Sequence, residues 1–275
     1  MTNAEKYTHG HHDSVLRSHR WRTVENSAAY AARFFVPGRQ VLDVGCGPGT
    51  ISADIAARVA GADENGRPGR VVAIDLAEGV LEEARAHAAE QGVDNITFEA
   101  RDVYDLPYPD GAFCVVHAHQ TLQHVADPVR ALKEMRRVCA PGGVVVARDA
   151  DYAGFTWYPL LPELDEWMDL YQTCARANGG EPDAGRRLLS WARAAGFTDV
   201  TPTASVWCHA TEDERRYWGE MWRDRVVESQ MAEQAVRDGH ATEDDLRRLS
   251  AAWQRWSDDG DAWFAILHGE IVCRA

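Results

Sequence analysis

The chain has 275 residues, 43 acidic against 29 basic side chains, and a formal net charge of −14. Such a length buries a full α/β core without metals or disulfides, and such a charge, with no basic cluster to offset it locally, argues against a nucleic-acid partner. No apolar run reaches membrane-spanning length, no signal-peptide pattern opens the sequence, and the cysteines at 46, 114, 139, 174, 208 and 273 include no Cys-x-x-Cys pair. They read as small apolar residues of a reducing cytoplasm, and the high Ala, Arg and Asp content suggests a high-GC bacterial genome.

In chain order, Ser14 can cap a short helix carrying Val15, Leu16, His19 and Trp21, and Asn26 can cap an apolar helix over residues 27–35. His11 and His12 are adjacent and lack the spacing of a chelating pair on a helix, so no metal site is expected. Residues 41–50 then read Val-Leu-Asp-Val-Gly-Cys-Gly-Pro-Gly-Thr. Val41, Leu42 and Val44 suit a strand buried in a parallel sheet, and the residues from Thr50 onward have helical spacing. The unit is strand, glycine turn, helix, a turn at which a ligand can approach the backbone and meet unpaired N–H groups. A dinucleotide fingerprint would need glycine where Thr50 stands. Asp43, before the first glycine, would repel a pyrophosphate and suits a cationic ligand, so an NAD-dependent oxidoreductase is disfavoured twice.

A loop-like insert over residues 61–69 delays the second strand, 71–75, which ends in Asp75. A helix over 78–91 leads to the third strand, 96–102, which ends in Asp102. Acids at the ends of three successive strands mark the edge of a doubly wound sheet where ligands bind. The fourth strand is expected over 112–119, a helix over 127–139 stopped by Pro141-Gly-Gly143, and the fifth strand over 144–147. A helix over 162–178 carries Leu164, Trp167, Met168 and Tyr171, and another over 183–195 precedes the sixth strand, 199–208. Thr211 and Glu214 form a capping box for a helix with Trp218, Met221, Trp222 and Val226 on one face. Thr242 starts another with Leu246, Leu249, Trp253 and Trp256, and residues 262–273 return as a seventh strand, antiparallel beside the sixth.

Asp43-Val-Gly45-Cys-Gly47-Pro-Gly49 resembles the first motif of the class I S-adenosylmethionine-dependent methyltransferases, D/E-x-G-x-G-x-G. The likeness covers roughly residues 25–210 and the last strand. Leu122-Gln-His-Val-Ala-Asp-Pro128 and Pro141-Gly-Gly143 are most similar to the ubiquinone/menaquinone biosynthesis group of small-molecule enzymes. The resemblance implies an α/β, doubly wound, seven-stranded Rossmann-like sheet with its last strand antiparallel, N-terminal helices over the cofactor pocket (1–36), a binding core (37–150), and a remainder (151–275) with helical lid insertions near 152–180 and 211–260.

It also implies S-adenosylmethionine as cofactor, S-adenosylhomocysteine as product, and cofactor contacts from Asp43, Gly45, Cys46, Gly47, Gly49, Asp75, Leu76, Asp102, Val103 and His119. Asp75 would take the ribose hydroxyls, Asp102 the adenine amine, and Val103 would cover the ring. His124, His119 and Tyr152 are the candidates for a base or substrate contact, with His124 first. Nine of the ten tryptophans lie beyond residue 150. They are expected chiefly to pack the lid, which in turn suggests a hydrophobic, ring-containing substrate methylated on carbon or oxygen. Methylation of a peptide or protein carboxylate, and cofactor binding without catalysis, are the alternatives. The aromatic lid helices offer a surface on which two copies could pair.

Overall fold

The computed structural model describes residues 21–275. The expected Ser14-capped helix with Val15, Leu16 and His19, and the His11–His12 pair, lie outside the described residues. The first described helix, α1 (Val24–Ser27), is one turn long and is followed by a 3-10 segment, Ala29–Phe34, in place of a continuous helix over 27–35. Thr23, not Asn26, is the cap. Asn26 is its capping-box partner, accepting from Thr23 N at 2.8 Å, and Val24 N donates to Asp54 Oδ2 at 2.7 Å, which ties this start to the next helix.

The chain continues through β1 (Gln40–Val44), α2 (Thr50–Val59), β2 (Arg70–Asp75), α3 (Glu78–Glu90), β3 (Ile96–Ala100), β4 (Phe113–His119), α4 (Pro128–Val138) and β5 (Cys139–Ala150). Strands β1 to β5 are mutually parallel in the order β3-β2-β1-β4-β5. After a 3-10 turn, Tyr152–Gly154, come β6 (Thr156–Tyr158), α5 (Pro162–Ala177), α6 (Leu188–Ala194) and β7 (Val200–His209). The last elements are α7 (Glu212–Glu228), α8 (Gln230–Arg237), α9 (Glu243–Asp258) and β8 (Trp263–Arg274). β8 runs antiparallel between β5 and β7.

Among the described residues the sheet has eight strands, not seven. β8 is long, and β5 pairs only with its residues 268–274, which leaves its first residues open on that side. The chain leaving β5 fills that gap as β6, pairing Thr156 with Ala265 and Tyr158 with Trp263. Three other bounds differ from expectation. β3 stops at Ala100, so Asp102 sits in the following loop. Pro141-Gly-Gly143 belongs to an irregularity within β5, where the pairing jumps from Phe113–Cys139 to Val115–Val144. A 3-10 turn, Gly185–Arg187, replaces the start of the helix expected from 183, and α8, capped by Ser229, had no clear signal.

Alternation along the strands sends Leu42 and Val116 to one sheet face, with Leu132 and Met135 of α4, and Val41 and Val115 to the other, with Ile55 and Val59 of α2. A third core is built from the extra helices. Trp167, Trp222, Trp253 and Trp256 are fully buried, and all four rings lie against one another or Phe264. The apolar faces read from the sequence are therefore turned inward. The exposed large aromatics among the described residues are Tyr158 and Trp263, on the β6–β8 ladder rather than on the lid helices. No helix of the described residues is long and apolar enough to cross a membrane.

Candidate functional site

A cavity of about 470 Å³ opens at the C-terminal ends of β1, β2 and β4. Asp43, Gly45, Cys46 and Gly47 line it from the first turn, with Asp75, Leu76, Asp102, Val103, His119 and His124. Gly49 and Tyr152 are not among its lining residues. Gly49 has φ +77°, and a Cβ there would sit 2.7 Å from Ala84 Cβ, so it lets α2 start against α3. Tyr152 stacks on Tyr171 at 3.9 Å and on Phe155 at 4.4 Å within the lid core.

The glycine turn does not offer the row of unpaired N–H groups expected of it. Gly45 N and Cys46 N both donate to Ile74 O (2.8 and 2.9 Å), and Gly47 N donates to Asp75 Oδ2 at 3.0 Å. The turn has folded back onto the end of β2, as buried backbone polar groups require partners. What the glycines provide is room: at Gly45, φ +74°, a Cβ would fall 2.3 Å from Thr121 Oγ1, which itself donates to Val44 O.

Asp43 is buried, with its carboxylate held by Ser52 Oγ and by His117 Nδ1 at 2.7 Å. It is a fixed negative charge rather than a free ligand. Asp75 accepts from Gly47 N and, through Oδ1, from Ala77 N at 3.1 Å. Each of its oxygens keeps a further lone pair for a hydroxyl.

Of the three cavity histidines, His117 is held by Asp43, and His119 and His124 differ. Gln123 Oε1 accepts from Ala150 N at 3.0 Å, which turns its amide nitrogen toward His124 Nε2, also at 3.0 Å. The His124 lone pair there is thus already used, and burial lowers its pKa to about 3. His119 is buried, and among the described residues neither of its ring nitrogens has a partner. Burial, then the charges of Arg22 and Arg148, hold its pKa well below the ordinary 6.5.

A methyltransferase-domain family profile matches residues 36–228. The chain is 35% identical over 271 residues to an uncharacterized methyltransferase of Schizosaccharomyces pombe, covering 97% of this chain and 95% of that one. The chain belongs to this methyltransferase family. A demethylmenaquinone methyltransferase of Clavibacter sepedonicus is 32% identical over 206 residues, 68% of this chain and 75% of its own. Among solved structures, the Bacillus YcgJ protein aligns over 91% of this chain and 98% of its own with a TM-score of 0.58 and 16% identity. The cyclase SpnF aligns over 93% and 80% with a TM-score of 0.51 and 22% identity. Those likenesses establish the shared Rossmann-like fold and no more.

The methyltransferase uses S-adenosylmethionine. The cavity's donor set fits that molecule: fixed negative charge at Asp43 for a cationic portion, open lone pairs on Asp75 for hydroxyls, and apolar Leu76 and Val103 for a ring. Several cavity residues carried no motif. Arg22 donates to Gln120 Oε1 at 2.8 Å, and Gln120 donates to His268 Nε2 at 2.9 Å, a chain joining the N-terminal segment, the end of β4 and β8. Gln230 reaches the cavity from α8. Pairing across distant segments leaves no spacing signal, and only the basic residue beside Trp21 could have drawn attention.

Asp149, near the end of β5, lies buried away from this lining. Its Oδ1 accepts from Gln123 N at 3.0 Å, its Oδ2 has no partner among the described residues, and burial raises its pKa from 3.8 to about 7. The folded chain therefore keeps this proton where the unfolded chain has lost it, so stability falls as pH rises from about 4 through 7. Asp149→Asn keeps the acceptor and removes the charge. We expect thermal unfolding to show equal stability of the two forms near about pH 4 and a gain of roughly 2–4 kcal/mol for the variant near about pH 8. A variant less stable at the higher pH would refute the assignment.

Proposed function

We propose that this methyltransferase transfers methyl to a carbon or oxygen of a hydrophobic, ring-containing small molecule. The observation that carries the reading is His119, buried at the cavity wall with both ring nitrogens unpartnered among the described residues. When bound, S-adenosylmethionine supplies an activated methyl group for in-line displacement at carbon. The chain contributes alignment and exclusion of water. A neutral imidazole offers one N–H and one lone pair to an acceptor hydroxyl. At so low a basicity it orients a proton better than it removes one, which suits a phenol-like hydroxyl that ionises near about pH 10 more than an alcohol. The quinone-type substrate in the name of the Clavibacter relative supports a ring as well.

Methyl transfer to a peptide carboxylate is the second reading, favoured by the Arg22 guanidinium in the cavity wall. The two separate in one assay with methyl-labelled S-adenosylmethionine, hydroquinones and phenols in one set of tubes, acidic peptides in another. Label is expected in the organic extract, reduced about tenfold or more by His119→Ala. Both imidazoles are already neutral at mildly acid pH, so their titration should cause no loss of rate between about pH 7 and 5. Label in peptide alone would refute the proposal, and binding without any transfer would leave the chain a cofactor-binding protein.

A further inference from the structure

A second cavity, of about 620 Å³, lies between the N-terminal segment and β7. Its floor is Arg148 of β5 with Glu270 of β8, and its walls include Trp21, Tyr30 and Trp207. Arg148 is 1% exposed, and its Nε donates to Ser205 Oγ at 3.0 Å and lies 3.3 Å from Glu270 Oε1. The Glu270 oxygens also accept from Ser205 Oγ and Thr203 Oγ1. The charges on this floor balance and its acceptors are used. Among the described residues the buried atoms of this lining that have no partner are Arg148 Nη1, the Tyr30 hydroxyl, Trp21 Nε1 and both His209 ring nitrogens, and the Tyr30 hydroxyl is the one that feels the charges of Arg148 and Glu270.

Buried donors without an acceptor are uncommon in native structures, and an oxygen atom is what Arg148 Nη1 and the Tyr30 hydroxyl lack. Because Glu270 already offsets Arg148, an uncharged carbonyl or phenol oxygen matches better than a carboxylate. Burial, then the Glu270 charge, pushes the Tyr30 phenol well above 10, so it remains a donor. The aromatic walls suit a flat ring, with Trp21 and Trp207 meeting edge to face at 4.9 Å.

The partition from the cofactor cavity is made of side chains. Arg22 and His119, both lining that cavity, lie 5.4 and 5.7 Å from the Trp207 ring. We infer that the second cavity binds the ring of the methyl acceptor, with a carbonyl or phenol oxygen on Arg148 Nη1 and the Tyr30 hydroxyl. The acceptor role rests on the methyltransferase reading above; the ring-and-oxygen site does not.

The test is calorimetric titration of the full chain, saturated with S-adenosylhomocysteine, using 2-naphthol and naphthalene as probes. The naphthol is expected to bind about tenfold tighter than naphthalene without displacing the nucleoside, and to lose about tenfold in Tyr30→Phe and in Arg148→Lys. S-adenosylhomocysteine affinity should stay within about twofold in both variants. Should Arg148→Lys fail to fold, Tyr30→Phe alone decides, since it deletes one hydroxyl. Absence of naphthol binding, equal binding by Tyr30→Phe, or competition with the nucleoside would each overturn the inference while leaving the methyltransferase reading intact. Tyr30-dependent naphthol binding by a chain that ignores S-adenosylhomocysteine would instead overturn the acceptor role.

Discussion

Asp75→Ala is expected to weaken S-adenosylmethionine binding by about a hundredfold or more in calorimetric titration, with no heat from NADH in either form. The size follows from what the carboxylate does in the fold and what we propose it does for the ligand. It holds Gly47 N at 3.0 Å and Ala77 N at 3.1 Å, so alanine releases the glycine turn and the start of α3 together. The remaining lone pairs are proposed to take the ribose hydroxyls. Hydrogen bonds to a charged group are worth roughly 1.5–3 kcal/mol each, and two of them exceed the roughly 2.7 kcal/mol that a hundredfold requires. Asp75→Asn keeps one oxygen acceptor and should fall between the two. Unchanged affinity in the alanine variant would remove Asp75 from the ligand site, and heat with NADH would reopen the dinucleotide reading that Thr50 and Asp43 argue against.

Trp167→Ala is expected to cost about 3–5 kcal/mol of stability in urea unfolding and to leave cofactor affinity nearly unchanged in the folded protein. Trp167 is fully buried, with its ring 4.5 Å from that of Trp222 and 4.8 Å from that of Trp253, both edge to face. Alanine would leave a hole that these rigid rings cannot close. Trp167→Phe is a sharper comparison. The indole N–H has no partner among the described residues, so phenylalanine removes an unsatisfied donor while leaving a smaller void, and the two effects oppose each other. A loss below about 1 kcal/mol for the alanine variant would mean that the lid core is loosely packed. A large loss of cofactor affinity at unchanged stability would place this tryptophan at the ligand site instead.

Much of the core was legible because local rules and the final fold agree. Val41 to Val44, the glycine turn and α2 occupy the expected segments, since a buried parallel strand, a tight turn and a helix each leave a local pattern. Thr211 and Thr242 cap the helices they were expected to cap, through side-chain oxygens that accept from Glu214 N and Asp245 N. The acids Asp43, Asp75 and Asp102 do meet at one cavity, because a parallel sheet brings successive strand ends to one edge.

Local pattern also determined that the lid helices are amphipathic, but not what their apolar faces would meet. Tertiary packing turned them onto one another and onto Phe264, so the cavity walls hold Trp21 and Trp207 rather than the lid tryptophans. The same holds for polar partners. Gln120 with His268, and Arg148 with Glu270, are separated by more than a hundred positions and joined only by the antiparallel return of β8. Of the two histidines, His124 stood in the stronger motif, yet the orientation of one glutamine amide occupies it and leaves His119 open. Sequence by itself determined the strand–turn–helix units, the acidic edge and the family, because these rest on neighbours along the chain. Which side chains are free to act was decided by the tertiary structure, because hydrogen-bond satisfaction is settled only when distant segments pack.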